Sequence, residues 1–208
     1  MVATLSFLAL GLIGASAATP SLRFAKRNSP NGCADGVPSQ AAVAGAINQW
    51  NSDVTTVNDF LDVATSLQGL HLQLQLVVFY YFLIENYGVD MKLIQLNLLI
   101  VALRAANDEP DQLQILACAS DVSPSTVAQA AADDLFTGFG PNVLTPLSNI
   151  LNDPSSITQN LQLINQFRCC HVLPDLDTLW SFTAEDDGVA NQVPLSAPRP
   201  AACASIYC

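Results

Sequence analysis

The chain has 208 residues, of which 50% are hydrophobic and 12% charged, with 18 acidic against 7 basic side chains and a formal net charge of −11. This length suits a single domain with a sizeable buried core. The acidic balance argues against nucleic-acid binding and against anionic membranes, because such a surface repels phosphate groups.

The first residues of the chain indicate export from the cell. An apolar run at 5–13 leads into small residues at 15–18, which fit the pocket of a signal peptidase, and the run is too short to span a membrane. We interpret 1–18 as a signal peptide that ends at Ala18. We therefore expect an extracellular protein, either free or attached to the cell wall.

A second processing site follows the signal peptide. Residues 19–27 end at the dibasic pair Lys26-Arg27, where a furin- or kexin-type protease would cut, and we interpret them as a pro-segment. The mature chain, 28–208, is then a single helical domain. It keeps four basic residues against 18 acidic ones, a formal charge of −14.

An even number of cysteines in an exported chain predicts three disulfides, whose pairing has 15 solutions. The six are Cys33, Cys118, Cys169, Cys170, Cys203 and Cys208. A ring between the neighbours Cys169 and Cys170 would be strained, so each is expected to bond a distant partner. We hypothesise that this pair fastens both chain ends to one helix terminus, with Cys33 from the start and Cys203 or Cys208 from the tail.

The clearest predicted helix covers residues 40–67. Apolar side chains recur there at steps of three and four, which places them on one face. They are Val43, Ile47, Trp50, Val54, Val57, Leu61 and Ala64. Ser39 is the predicted N-cap, and the polar residues Asn51, Asp53, Asp59 and Asp62 are expected to face water. We favour a core helix over a coiled-coil seam, because the pattern lasts only about three heptads.

The later chain repeats one pattern, in which a capping residue precedes a proline and apolar spacing follows. Helix starts are predicted at Asp108-Glu109-Pro110, Ser123-Pro124, Gly140-Pro141, Asp153-Pro154 and Leu173-Pro174. No stretch shows convincing strand alternation. The expected fold is an all-α, compact bundle of about five to seven helices, stapled by disulfides. From Gly188 onward an irregular, Pro-rich tail is expected, pinned by Cys203 and, as a second candidate, Cys208.

Residues 74–100 differ from their surroundings, because aliphatic and aromatic side chains crowd together there. A membrane span is disfavoured, since polar residues such as Glu85 and Asp90 interrupt the segment. Two alternatives stay open. The segment forms one or two buried helices divided at Gly88, or it is a retained intron translated in frame, whose removal would join Gln73 to Val101 in an Ala-rich helix.

The sequence Cys169-Cys170-His171 is the strongest candidate for a catalytic or zinc site, because a thiolate beside an imidazole can act as a nucleophile and both groups bind zinc. The only other histidine is His71, and no C-x-x-C or H-x-x-x-H spacing accompanies the motif. Disulfides consume the thiols of an exported chain. We therefore predict a structural role for these cysteines, with no metal site and no cofactor.

The remaining polar and aromatic candidates are also interpreted as structural. The acidic clusters, read as helix starts or solvated faces, are Asp108-Glu109-Asp111, Asp133-Asp134, Asp175/Asp177 and Glu185-Asp186-Asp187. None shows the spacing of a glycosidase pair or a calcium loop. Trp50 and Trp180 are expected in the core, and Arg168 is expected to form a surface ion pair with Asp175 or Asp177.

Four blocks of the chain carry a resemblance to known proteins: AINQWNSDVTTVNDFLD (46–62), AANDEPDQL (105–113), FRCCHVLPDLDTLW (167–180) and APRPAACA (197–204). Together they resemble a group of small secreted, cysteine-containing helical proteins of filamentous fungi, in which no functional residue is established. The signal-plus-helical-domain plan is more loosely similar to fungal hydrophobic-surface-binding and cell-wall mannoproteins. The resemblance excludes 74–100.

These observations predict a non-enzymatic secreted protein that acts on the cell wall, at a host surface or on another extracellular surface. The alternative is a carrier of a lipid or other apolar small molecule, in an interhelical pocket lined by Ile47, Trp50 and Val54. A secreted hydrolase is the third hypothesis, and it would require a cleft with two facing carboxylates of raised pKa.

Overall fold

The computed structural model describes Cys33 and residues 36–72, 91–119 and 126–208. Within these ranges the chain is helical apart from short connections and the C-terminal tail, and it contains no strand, so the predicted all-α fold is confirmed. The first two helices are long and continuous: α1 covers Gln40–Leu72 and α2 covers Met91–Ala117.

Two further helical rods follow, each interrupted by a π-helical turn rather than by a loop. The third rod consists of α3 (Val127–Phe139), a π turn (Gly140–Leu144) and α4 (Thr145–Asn152). The fourth begins with a 3-10 turn (Pro154–Ser156) and continues through α5 (Ile157–Phe167), a π turn (Arg168–Val172) and α6 (Leu173–Asp186). A last 3-10 turn, Ala201–Ser205, lies in the tail. The six α-helical segments of the described residues agree with the expected number.

One continuous apolar core joins the four rods. All seven apolar residues predicted for the inner face of α1, from Val43 to Ala64, are at most 1% exposed, which confirms that face. The most extensive helix–helix contact joins α1 to α2, and α3 packs mainly on α6. Trp50 and Trp180 are both buried, as expected, and meet edge to face with ring centroids 6.3 Å apart.

The start of α1 is also as predicted, because the backbone N–H of Ala42 donates to Ser39 Oγ at 3.3 Å. One of the residues expected to face water does not. Asp53 is buried, at 6% exposure, since its side chain turns toward α2 rather than toward solvent.

Proline starts a new helix at only some of the expected positions. Asp153 caps the fourth rod, with its Oδ1 accepting from Ser155 N at 3.0 Å, and the helix expected near Ser123 begins at Val127 behind the cap Thr126. The prediction at Asp108-Glu109-Pro110 is wrong, because Pro110 lies inside α2.

At Gly140-Pro141 and Leu173-Pro174 a new helical element does begin, a π turn at Gly140 and α6 at Leu173, but no loop separates it from the helix before it. Pro141 lies in a π turn, and Pro174 lies just after one. In each turn the first carbonyl accepts a hydrogen bond from the N–H of the residue five positions later. Thr145 N–H bonds Gly140 O, and Leu173 N–H bonds Arg168 O. The wider turn lets the rod continue past a residue that has no N–H to donate.

All six cysteines are paired, and each bridge has a Cα–Cα distance between 5.4 and 5.7 Å. Cys169 bonds Cys203 and Cys170 bonds Cys208, so the adjacent cysteines take separate partners, as expected. The expected role of Cys33 is wrong, because it bonds Cys118. The antiparallel packing of α1 and α2 brings the start of one helix to the end of the other.

The tail after α6 is irregular, as predicted, and both Cys203 and Cys208 pin it. It is also held by side chains of the bundle: Asn58 Nδ2 donates to Pro198 O at 2.8 Å, and Asp62 Oδ1 accepts from Ala201 N at 2.8 Å. Asp177 accepts from Ala197 N at 2.7 Å and pairs with Arg199. The tail is therefore part of the folded body.

Several expectations concern residues outside the described part of the chain. These are the signal peptide, the pro-segment with Lys26 and Arg27, and most of the anomalous segment. Residues 91–100 of that segment are described: they form the first turns of α2, and Leu99 is buried in the core. No helix in the described ranges combines the length and apolar character needed to cross a membrane.

Candidate functional site

The most unusual polar feature of the molecule is an ion pair inside the bundle. Nη1 of Arg168, in the π turn between α5 and α6, lies 3.5 Å from Oε1 of Glu109 on α2, and the two side chains are 0% and 1% exposed. Charged side chains are almost never buried this completely unless they are paired. The predicted surface ion pair of Arg168 with Asp175 or Asp177 is therefore wrong.

Side chains of α1 complete the network around the pair. Trp50 Nε1 donates to the second oxygen of Glu109, Oε2, at 2.8 Å. Arg168 Nη2 donates to Asn58 Oδ1 at 3.1 Å, and the same Asn58 holds the tail at Pro198. One buried network thus links α1, α2, the π turn and the C-terminal tail.

Burial dominates the electrostatics of this pair. It raises the pKa of Glu109 to about 7, while Arg168 and the indole N–H of Trp50 act in the opposite direction. It also lowers the pKa of Arg168, and Glu109 opposes that shift. Three atoms of the pair, Glu109 Oε1 and Arg168 Nε and Nη1, have no hydrogen-bond partner among the described residues. At 3.5 Å the two side chains form a long ion pair that leaves much of their hydrogen-bonding capacity unused.

A second polar cluster lies nearby, between α1 and α2. The carboxylate of Asp53 accepts from Gln49 Nε2 at 3.1 and 3.3 Å and faces Asp108 on the neighbouring helix. Asp108 in turn accepts from Gln112 Nε2 at 3.3 Å. Burial raises the pKa of Asp53 to about 6; Gln49 opposes the shift, and Asp108 adds to it.

A third cluster contains the histidine of the Cys-Cys-His sequence. Nδ1 of His171 lies 3.2 Å from Oδ2 of Asp134, and the imidazole stacks on Phe167 with ring centroids 4.8 Å apart. Asp175 on α6 reaches the same Asp134. Burial raises the pKa of Asp175 to about 7, and the hydrogen bond and negative charge of Asp134 raise it further. Two carboxyl groups therefore meet at this surface, in contact with each other.

These arrangements limit the chemistry that the sequence motifs could perform. The thiols of Cys169 and Cys170 are both in disulfides, so neither can pair with His171 as a nucleophile. Asp134 and Asp175 touch each other, whereas a glycosidase holds its carboxyl groups on either side of a sugar bond. In the described ranges no three His, Cys, Asp or Glu side chains are placed to hold a metal ion.

The carrier hypothesis required a pocket beside Trp50. A crevice does open there, between α1, α2 and α3, but it encloses no space for a water molecule. Its lining is Trp50, Glu109, Pro110, Leu113, Leu135 and Phe139. The other residues named for that pocket, Ile47 and Val54, are packed in the core at 0% exposure.

Sequence reasoning missed the two residues at the centre of the molecule, Glu109 and Arg168. Glu109 was assigned to an acidic helix start, and Arg168 to the surface. One signal was available: Arg168 is one of four basic residues in 28–208 and stands inside an apolar helix pattern. An isolated arginine in such a pattern favours a buried, paired role.

Comparisons of the chain with protein-family models, with curated proteins and with solved structures found no match in any of the three.

Proposed function

We propose that this protein is a secreted, non-enzymatic helical protein that acts outside the cell, at a wall or another surface. The observation that carries the proposal is the pairing of all six cysteines in three disulfides. Disulfides persist in oxidising compartments and are rare in the cytosol. The apolar N-terminal run and the resemblance to small secreted fungal proteins support the same compartment.

The structural use of the reactive groups supports the non-enzymatic part. Both cysteines next to His171 are consumed by bridges, and the carboxylate of Glu109 is buried beneath the tail network with Arg168 and Trp50. An enzyme needs a nucleophile, acid or base within reach of a substrate, and His171, which is half exposed beside Asp134, has no thiol left next to it to activate. The two C-terminal bridges hold the tail against the bundle, a construction suited to survival among extracellular proteases.

Expression from the full-length sequence in a secreting host tests the compartment. We expect the protein in the medium, with an intact mass that begins at Asn28, no titratable thiol, and peptide maps that contain the three bridges. A variant with Lys26→Ala and Arg27→Ala is the matched control and should be secreted with residues 19–27 still attached. Recovery from the cytosol with Met1 present and free thiols would contradict the proposal.

Two measurements on the same purified sample separate the alternatives. Co-sedimentation with washed cell-wall fragments tests surface attachment, and a protein that stays in the supernatant does not act there. Native mass spectrometry tests the carrier alternative, which requires a non-covalent adduct that disappears on denaturation.

A further inference from the structure

Two pairs of carboxyl groups connect different helices of the bundle. Asp53 on α1 faces Asp108 on α2, and Asp175 on α6 faces Asp134 on α3. Asp53 is 6% exposed, whereas Asp175 is partly buried, with one oxygen, Oδ2, out of contact with water and without a hydrogen-bond partner in the described part of the chain. Two carboxylates in contact cannot both be ionised cheaply, so such pairs share a proton.

The neighbours of the first pair, Asp53 and Asp108, do little to stabilise the state in which both carboxyl groups are ionised. On α1 the neutral amide of Gln49 donates to Asp53, and on α2 the amide of Gln112 donates to Asp108 in the same way. The charged groups that follow are Glu109, whose pKa is raised in part by the negative charge of Asp53, and Arg168, which is paired to Glu109. Within the described ranges, no lysine or arginine forms an ion pair with Asp53 or Asp108.

The second pair has one ionisable neighbour. His171, from the π turn, lies against Asp134 and is half exposed, while α6 and α3 supply the two carboxyl groups, Asp175 and Asp134. In the part of the chain that is described, no lysine or arginine is paired with Asp134 or Asp175. The proton of Asp175 is therefore shared with the carboxyl group of Asp134, at the contact of α6 with α3.

We propose that these two interhelical carboxyl pairs form an acid-dependent clamp. In mildly acidic solution each pair holds one proton and joins its two helices by a carboxyl–carboxylate hydrogen bond. As the solution becomes neutral the protons leave, and the resulting repulsion weakens the contacts of α1 with α2 and of α3 with α6. The fold is thus most stable in an acidic medium. This inference does not rest on the proposed function.

The direction of the pH dependence follows because proton binding and folding are linked. Burial and the partner carboxylate raise the pKa of Asp53 to about 6 and that of Asp175 to about 7, from 3.8 in the unfolded chain. The folded protein therefore binds more protons than the unfolded chain between these values, and its stability is lost as pH rises through that window. Each such proton changes the unfolding equilibrium constant by up to about tenfold per pH unit.

Urea unfolding of the disulfide-intact mature protein between pH 4 and pH 8 tests the clamp. We expect the unfolding constant of the parent to increase across this range. Asp53→Asn and Asp175→Asn replace the protonated acid by a neutral amide that can still donate to the partner carboxylate. In each variant the unfolding constant should change less with pH than in the parent, and the variant should be at least as stable as the parent at pH 8.

Asp59→Asn on α1 and Glu185→Gln on α6 are the matched controls, because each removes one negative charge from an exposed position on the same helices. They should keep the parental pH dependence. Glu109 also favours the acidic form, so the double variant Asp53→Asn, Asp175→Asn should retain a smaller slope rather than none. The clamp is refuted if the parent is equally stable at pH 4 and pH 8, or if the controls flatten the curve as much as the clamp variants.

Carboxyl-carbon NMR of the parent provides a reading that does not depend on variants. The clamp requires that Asp53 and Asp175 titrate above pH 5 in the folded state, each with a partner whose signal shifts at the same midpoint. Titration of both near the ordinary value of 3.8 would overturn the proposal even if a variant failed to fold.

Discussion

Arg168 and Glu109 lie 3.5 Å apart in the interior of the bundle, between a π turn and the middle of α2. Their contact joins segments that are 59 residues apart in sequence, and the same arginine reaches α1 through Asn58. The pair and its hydrogen bonds therefore connect the junction of α5 and α6 to both α1 and α2.

Loss of Arg168 should destabilise the fold strongly. Arg168→Met leaves the carboxylate of Glu109 buried without its counter-charge, and removal of one partner of a buried pair typically costs about 3–5 kcal/mol. Urea unfolding at pH 7 measures this cost. The double variant Arg168→Met, Glu109→Leu should lose less than the single one, because no uncompensated charge remains.

Arg199→Met provides the control for this prediction. Arg199 pairs with Asp177 near the surface, where an ion pair contributes about 0–1 kcal/mol. Equal losses for the two arginine variants would show that the burial of Arg168 has no energetic consequence.

The two buried tryptophans should respond differently to the same substitution. Trp50→Phe removes the 2.8 Å hydrogen bond to Glu109 Oε2, and a hydrogen bond to a charged group contributes about 1.5–3 kcal/mol. Trp180→Phe removes an N–H that has no acceptor among the described residues. Both variants lose similar ring area, so the difference between their unfolding free energies isolates the hydrogen bond, and a difference of zero would contradict its role.

The two C-terminal disulfides should substitute for each other. Cys169–Cys203 and Cys170–Cys208 close loops of almost the same length, 34 and 38 residues, because their cysteines are adjacent at one end. Replacing either pair by serine leaves the other to restrict the unfolded chain, so each single loss should lower Tm only slightly. Replacing both pairs should cost about 4 kcal/mol, the loop-closure value for this length.

Additive losses in calorimetry would show that each bridge stabilises the native state on its own. Removal of Cys33–Cys118 is the comparison, since no other bridge closes its loop of 85 residues. That single loss should exceed either of the single losses at the C-terminus.

Two glycines on helices should have opposite responses to alanine. Gly45 is exposed on α1, and an added Cβ meets nothing within 4 Å, so Gly45→Ala should stabilise the fold by about 1 kcal/mol through helix propensity. At Gly138 on α3 the added Cβ would collide with the ring of Phe167, which stacks on His171. Gly138→Ala should therefore cost about 1–3 kcal/mol.

Thermal unfolding measures both glycine variants. An increase in Tm for Gly138→Ala would mean that the Phe167 ring moves aside without loss. A crystal or NMR structure of that variant should then show the stack on His171 broken.

Local patterns in the sequence determined much of the secondary structure. The inner face of α1, its cap at Ser39 and the start of the fourth rod at Asp153 follow from residues within one or two helical turns of each other. Helical periodicity and capping act over that distance, which is why they can be read without a fold.

Proline was a local signal that held at some positions and failed at others. A capping residue followed by proline predicts a helix start, and a helical element does begin at Gly140 and at Leu173, but Pro110 lies inside α2 and no loop interrupts the rods before Pro141 or Pro174. Whether a helix tolerates the missing N–H depends on the packing that holds the flanking turns together. That packing is set by other parts of the chain.

The sequence by itself determined the all-helical class, the apolar face of α1, the irregular tail and the separate partners of Cys169 and Cys170. Only the tertiary structure decided which cysteines meet, that Arg168 is buried against Glu109, and that Asp53 and Asp175 each face another carboxyl group. The physical reason is the distance along the chain over which each interaction acts. Helix periodicity depends on near neighbours, whereas a charge buried in the core depends on which helix packs across from it.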